Sequence, residues 1–141
     1  MLSHNHWDHI DGLRDLRKIN SETEIVHPDD FSEPTEISAD ISTTDALGVL
    51  PKEQSLVIKT EKGNIVVTGC AHPGLERILR VAGTFGRVYG VLGGFHVFLK
   101  FAELEGIQLI APCHCIQHTK QIKQMFLSQF KQIQAGSVIE I

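Results

Sequence analysis

The chain has 141 residues, of which 42% are hydrophobic and 21% are charged, and its formal net charge is -4. These values are typical of one globular domain, they exclude a disordered chain, and they give a nucleic-acid partner no global electrostatic support. No apolar run is long enough to span a membrane, and no signal peptide is recognisable, so we expect a cytoplasmic protein without a membrane partner. Three cysteines, two of which flank a histidine, argue against a disulfide framework.

The first half of the chain predicts few regular elements. Apolar side chains at helical spacing predict a helix over residues 10–19. Residues 24–27 predict a short strand that ends before a proline, and residues 28–54 predict irregular structure with one short strand near 37–41. Two apolar runs on either side of a turn predict a β-hairpin over residues 55–69.

The second half alternates between strands and helices, which indicates an α/β layered fold. The predicted strands cover residues 64–69, 87–93, 107–112 and 137–141, and the predicted helices lie near residues 75–82, 98–105 and 119–130.

The segment LSHNHWDHIDGL, residues 2–13, holds the densest set of potential metal ligands. Side chains alternate along an extended segment, so His4, His6 and Asp8 share one face, while His9 lies where the first helix begins. Imidazole nitrogens and carboxylate oxygens are zinc ligands when several of them converge. The competing interpretation is an exposed loop in which Asp8 caps the helix. The density of ligands favours the metal site.

Three further histidines, His72, His96 and His114, each follow the end of a predicted strand. Ligand sites in α/β sheets gather at the carboxyl ends of strands, so we expect all three at one edge, near the first cluster. The cysteines on either side of His114 could form a separate zinc site with Cys70, but packing beneath the site is the favoured interpretation for small buried cysteines. We interpret His27 as structural.

These motifs resemble a known superfamily. Residues 4–9, HNHWDH, match the H-x-H-x-D-H motif of the metallo-β-lactamase superfamily. The segments VVTGCAHPGL, VLGGFH and PCHC resemble one branch of it, the metal-dependent hydrolases that include dihydropterin-ribofuranosylaminobenzene phosphate synthases. The resemblance implies an αββα sandwich, here a single partial domain over residues 1–141, with a metal site at one edge of its sheets.

The resemblance also implies a ligand set and a reaction. His4, His6 and His72 look like the ligands of a first metal, and Asp8, His9 and His114 like those of a second, with His96 as a bridging or additional ligand. The ions, zinc first with manganese or iron as alternatives, would activate water against a small ester or phosphorylated substrate, and Asp8 would orient the water or accept its proton.

The same branch has β-strands before its first motif, whereas this chain begins at the motif. We therefore expect an N-terminally truncated member, with unpaired strand edges and an apolar face partly open to water. Such an edge favours a homo-oligomer, and metal binding would outlast catalysis. The alternative function is a non-catalytic metal-binding fragment of the same fold.

Overall fold

A computed structural model describes all 141 residues and contains one six-stranded sheet, in which the strands lie in chain order. The strands are β1 (Thr35–Ser38), β2 (Ile41–Thr43), β3 (Leu56–Thr60), β4 (Gly63–Thr68), β5 (Val88–Gly93) and β6 (Leu109–Pro112). The helices are α1 (Trp7–Ile10), α2 (Leu13–Ile19), α3 (Leu75–Ala82) and α4 (Thr119–Met125), and 3-10 turns cover Gly83–Phe85 and Phe101–Leu104.

The direction of the last three strands positions the site. Strands β1 to β4 pair antiparallel, whereas β4, β5 and β6 run parallel to one another. Their last residues are direct neighbours, because Thr68 pairs with Gly93 and Gly93 pairs with Pro112. The loops that follow these three strands therefore leave the sheet at one edge, here called the carboxyl edge.

The main core lies between one face of the sheet and the helices. Helix α3 buries Leu75, Ile78, Leu79 and Ala82, which recur at helical spacing and face the sheet. Sheet residues such as Val91 complete a cluster of 16 buried side chains. Burying one such large apolar side chain stabilises the fold by roughly 1.5–3 kcal/mol, so this cluster holds the parallel strands and their loops together.

The opposite face of the sheet is also apolar, but it is only partly covered. Ile65 and Leu109 are buried there, and Ile133 and Ile139 of the C-terminal segment pack against them. Between this segment and the sheet there is also a cavity of about 300 Å³, which is lined by half-buried sheet residues such as Leu92. The six strands thus form a single sheet, whereas the expected αββα sandwich has two sheets.

The two outer strands differ in how they are covered. The Ile110 N–H of β6 donates to the Gln129 carbonyl at 2.9 Å, and the Lys131 N–H donates back to Ile110 at 2.9 Å. Residues 129–131 therefore occupy the outer edge of β6. Strand β1 is the other outer strand and has only four residues, with a bulge between Glu36 and Ser38.

Several predicted elements agree with the structure. The hairpin over residues 55–69 corresponds to β3 and β4, and the helix near 75–82 corresponds to α3. The helix predicted over residues 10–19 begins earlier, at Trp7, and is divided at Asp11 and Gly12. No helix of the structure combines the length and the apolar character that crossing a membrane requires.

Three predicted elements are wrong. Residues 24–27 form no strand; their one ladder-like contact is the Leu2 N–H donating to the Val26 carbonyl at 2.9 Å, and Pro28 has no N–H to extend it. Residues 98–105 form only a 3-10 turn, because the preceding backbone is bonded to Cys115. Residues 137–141 form no strand, although Ile139 packs against the sheet. The short strand near 37–41 is in fact the hairpin of β1 and β2, and the last helix ends at Met125.

Candidate metal centre

Three histidines from two parts of the chain form a first group, His4, His6 and His72. Their ring centroids are 4.6 Å apart for His4 and His6, 4.7 Å for His4 and His72, and 4.8 Å for His6 and His72. His4 Nε2 lies 3.1 Å from His6 Nδ1, and His4 is completely buried. The motif before α1 and the loop after β4 therefore meet at one point of the carboxyl edge.

A second group, Asp8, His9 and His114, adjoins the first. Asp8 Oδ2 lies 3.3 Å from His114 Nε2 and 3.6 Å from His9 Nε2, and the rings of His9 and His114 are 5.2 Å apart. The rings of His9 and His4 are 4.2 Å apart, which brings the two groups together. Asp8 lies inside α1, whose first turn has no side-chain cap, so the interpretation of Asp8 as a helix cap is wrong.

Cys70 lies between the two groups. Its Sγ is 3.3 Å from His9 Nε2, and it falls within 4.8 Å of ligand atoms of His4 and His72 on one side and of His9 and His114 on the other. Burial raises the pKa of the Cys70 thiol to about 12, and a hydrogen bond with Cys115 acts in the same direction. Cys70 is buried, as the sequence indicated, but its sulfur faces the histidines.

His96 lies beside the first group. Its ring is 4.9 Å from the ring of His72, and both residues line a cavity of about 380 Å³. The backbone of His96 has a positive φ of 42°, and its N–H donates to the Cys115 carbonyl at 2.7 Å. This hydrogen bond joins the loop after β5 to the loop after β6. It thereby holds His96 next to His72.

Close approach of the loops after β4 and β5 depends on two glycines. A Cβ atom on Gly93, whose φ is 119°, would lie 2.2 Å from the Thr68 carbonyl oxygen. A Cβ atom on Gly94 would lie 2.4 Å from the Gly69 carbonyl oxygen. Any other residue at these positions would push the loops apart, because real Cβ contacts do not approach so closely.

Glu53 is a buried residue of this site that the sequence analysis missed. Its buried carboxylate accepts N–H bonds from Cys70, Ala71 and His72 at 2.9, 2.8 and 3.0 Å, and a fourth bond from His72 Nδ1 at 2.8 Å. Burial opposes ionisation, but these hydrogen bonds outweigh it and lower the pKa of Glu53. It stands in no recognisable motif, and a glutamate in an irregular segment is normally expected at the surface.

Gln54 anchors the N-terminal motif in a similar way. Its side-chain amide donates to the Leu2 carbonyl at 2.8 Å, and its backbone N–H donates to the Ser3 carbonyl at 2.9 Å. The Ser3 hydroxyl in turn lies 3.1 Å from His4 Nδ1 and 3.2 Å from His9 Nδ1. Adjacent buried residues, Glu53 and Gln54, therefore hold the two segments that carry the first group.

The protonation states of these residues suit metal binding. Burial lowers the pKa of His4 to about 4 and also lowers the pKa of His9, so both imidazoles are neutral at pH 7, as metal ligands must be. Burial opposes ionisation of Asp8, but its own backbone N–H and the neighbouring His9 and His114 lower its pKa, so it is a carboxylate.

The spacing of the donors suits metal binding as well. Ligands around a tetrahedral zinc ion with bonds of about 2.0–2.1 Å lie roughly 3.3 Å apart. The 3.1 Å between His4 Nε2 and His6 Nδ1 matches this spacing. The donor set therefore fits a divalent ion.

The fold corresponds to that of a known class of protein. The structure has the fold of the metallo-β-lactamase superfamily: it superposes on a crystal structure of a metal-dependent hydrolase of the beta-lactamase superfamily with a TM-score of 0.70. The match covers 92% of this chain and 62% of that chain, at 23% sequence identity. The expected α/β fold class is thereby confirmed.

Sequence comparison identifies one particular relative. The chain is 32% identical over 106 residues to the 7,8-dihydropterin-6-methyl-4-(beta-D-ribofuranosyl)-aminobenzene-5'-phosphate synthase of Methanocaldococcus jannaschii. The match covers 62% of this chain and 35% of the relative, so the chain spans about a third of that protein's length. No protein-family model matches the chain. The resemblance inferred from the motifs is confirmed by the two relatives together.

Proposed function

We propose that this protein is a metal-dependent hydrolase that binds one or two divalent ions at the carboxyl edge of its sheet. The observation that carries the proposal is the meeting of the two ligand groups. Their imidazoles and one carboxylate come from the N-terminal motif and from the loops after β4 and β6, and they lie side by side. Structural histidines have no need to converge from separate loops in this way.

In this proposal His4, His6 and His72 hold the first ion, and Asp8, His9 and His114 hold the second. Cys70 lies within reach of both groups. Zinc is the ion that nitrogen, oxygen and sulfur donors suit best, and imidazole sites also accept manganese or iron according to supply. A bound ion of this kind supplies a Lewis acid and lowers the pKa of water toward 7.

Asp8 is the proposed proton acceptor. Its carboxylate is about one third exposed and lines a cavity of about 430 Å³ together with His9 and His114. It is ionised, and its Oδ2 lies within 3.6 Å of both histidines. A carboxylate in this position can orient a water molecule and take up its proton when that water attacks a substrate in the cavity.

The cavities suit a small molecule. The two cavities that flank the histidines measure about 380 and 430 Å³, which is within the usual range for small-ligand sites. At the mouth of the first, Lys100 Nζ lies 2.7 Å from the Glu76 carboxylate. The relative from Methanocaldococcus jannaschii is named as the synthase of a 5'-phosphate. We propose a small ester or phosphorylated substrate for this chain.

The test is metal analysis of the purified protein combined with an activity screen. We expect one or two equivalents of a divalent metal and hydrolysis of at least one phosphomonoester, phosphodiester or lactone. Asp8→Asn should lower turnover more than metal content, whereas His6→Ala should lower both. His27→Ala is the control, because His27 belongs to neither group.

The alternative function, a metal-binding module without catalysis, rests on the open apolar face of the sheet. Metal at full stoichiometry without turnover on any ester would favour this alternative. Absence of metal binding would contradict both.

A further inference from the structure

We propose that Glu53 is the positioning residue of the metal centre: its carboxylate fixes His72 in the one tautomer that leaves Nε2 free as a ligand. The expected effect on metal affinity rests on the proposed function. The expected tautomer of His72 does not depend on it. Nothing in the motifs of the sequence points to Glu53.

The chemistry of the two side chains determines which imidazole nitrogen carries the proton. An ionised carboxylate accepts hydrogen bonds and donates none. Glu53 Oε2 lies 2.8 Å from His72 Nδ1, so this nitrogen must carry the proton. A neutral imidazole has one N–H and one lone pair, and the lone pair is therefore on Nε2. The ring with this free nitrogen lies within 4.8 Å of the rings of His4 and His6.

The backbone of the same loop prevents the carboxylate from turning away. Glu53 Oε1 accepts the N–H groups of Cys70 and Ala71, and Oε2 accepts the N–H of His72. Ala71 has a positive φ of 62°, an uncommon conformation for a residue with a side chain, which these bonds hold in place. Without Glu53, the backbone N–H groups of Cys70, Ala71 and His72 would lose their acceptor.

Neighbouring groups do not take over this role. His4 Nδ1 is within hydrogen-bond distance of the Ser3 hydroxyl, whereas it lies 3.9 Å from Glu53 Oε2, too far for a hydrogen bond. The other carboxylate near the cavity, Glu76, is engaged by Lys100 at 2.7 Å. Glu53 is thus the single acidic partner of His72, and carboxylates behind metal-binding histidines fix both the ring and its tautomer.

The first experiment uses the unmodified, metal-free protein. Long-range ¹H–¹⁵N NMR distinguishes the two imidazole tautomers, and the His72 signals are assigned by their loss in His72→Asn. We expect His72 as the Nδ1–H tautomer at neutral pH. An Nε2–H tautomer, or a rapid mixture of the two, would overturn the proposal whether or not any variant folds.

The second experiment uses Glu53→Gln. Glutamine keeps the size and one acceptor oxygen, which we expect to face Cys70 and Ala71. Its amide NH₂ then faces His72, where it leaves the backbone N–H of His72 without an acceptor and donates to Nδ1. The proton of the imidazole therefore moves to Nε2, and the ligand atom is blocked. We expect the His72 NMR signature to change tautomer and zinc affinity to fall about 10–100-fold.

Glu76→Gln is the matched control, because it removes a carboxylate beside the same cavity and should change neither the tautomer nor zinc affinity. If Glu53→Gln folds and keeps both the tautomer and the affinity of the unmodified protein, Glu53 is not a positioning residue. A protein that shows the expected tautomer but binds no metal would contradict the proposed function and leave the tautomer assignment standing.

Discussion

His4 is the most deeply buried histidine of the site. Its ring is completely buried and lies against the rings of His6, His9 and His72. A buried imidazole that must stay neutral stabilises the fold little, and an apolar residue of the same size would pack at least as well. Stability alone therefore does not account for the convergence of these rings, and we expect it to serve metal binding.

Replacement of single histidines should distinguish those that bind the metal from those that only lie near it. We expect His72→Ala to lower bound metal most, His96→Ala to lower it less, and His27→Ala to leave it unchanged. The reason is that His72 belongs to the first group, His96 lies 4.9 Å from it, and His27 belongs to neither group. Metal content by mass spectrometry is the measurement, and a larger loss in His27→Ala than in His96→Ala would contradict the assignment.

Cys70 can be tested by spectroscopy. Because its sulfur lies between the two groups, we expect it to bind the metal as a thiolate once an ion is present. Protein loaded with cobalt should then show a sulfur-to-metal charge-transfer band that disappears in Cys70→Ser and persists in Cys113→Ser. A cobalt spectrum without this band would show that Cys70 only packs beneath the site.

At the scale of elements, the sequence predicted which loops come together better than it predicted the bounds of every strand and helix. The strand–helix alternation after residue 64 predicted that the loops of His72, His96 and His114 share an edge, and the parallel pairing of β4, β5 and β6 accounts for that result. The pattern depends only on local periodicity and on the direction of strands. Both are readable from sequence.

The elements that were predicted wrongly depend on tertiary contacts. Residues 98–105 have the apolar spacing of a helix, but the loop before them is bonded to Cys115, which precedes the last helix. The role of Glu53 depends on N–H groups that lie about twenty residues further along the chain. No local pattern contains that information.

The loop glycines provide a prediction about stability. We expect Gly93→Ala to destabilise the protein by about 2–4 kcal/mol, because its Cβ would overlap the Thr68 carbonyl and its φ is positive. Gly83→Ala is the control, since it has open space and a helical φ. Thermal and denaturant unfolding measure the difference, and equal stabilities would contradict the close loop contact.

At the scale of the whole molecule, the partly covered sheet face is the main feature. Half-buried apolar residues of β3, β4 and β5 lie beneath a C-terminal segment that contributes Ile133 and Ile139. A face of this kind attracts other apolar surfaces, and strand β1 is an outer strand. The open face and the outer strand are therefore the surfaces through which we expect association.

We expect the protein to self-associate through these surfaces. Light scattering at several protein concentrations should show a dimer or higher oligomer that dissociates on dilution. Ile139→Lys, which weakens the cover of the face, should increase association, whereas Lys131→Ala should not. A stable monomer at every concentration would contradict this expectation.

Anomalous diffraction at the zinc absorption edge would show whether the two adjoining ligand groups hold divalent metal at the carboxyl edge. Crystals grown with zinc should show one or two strong peaks, the first bounded by His4, His6 and His72 and the second by Asp8, His9 and His114. No peak at these residues, or a peak only at Cys113 and Cys115, would contradict the account.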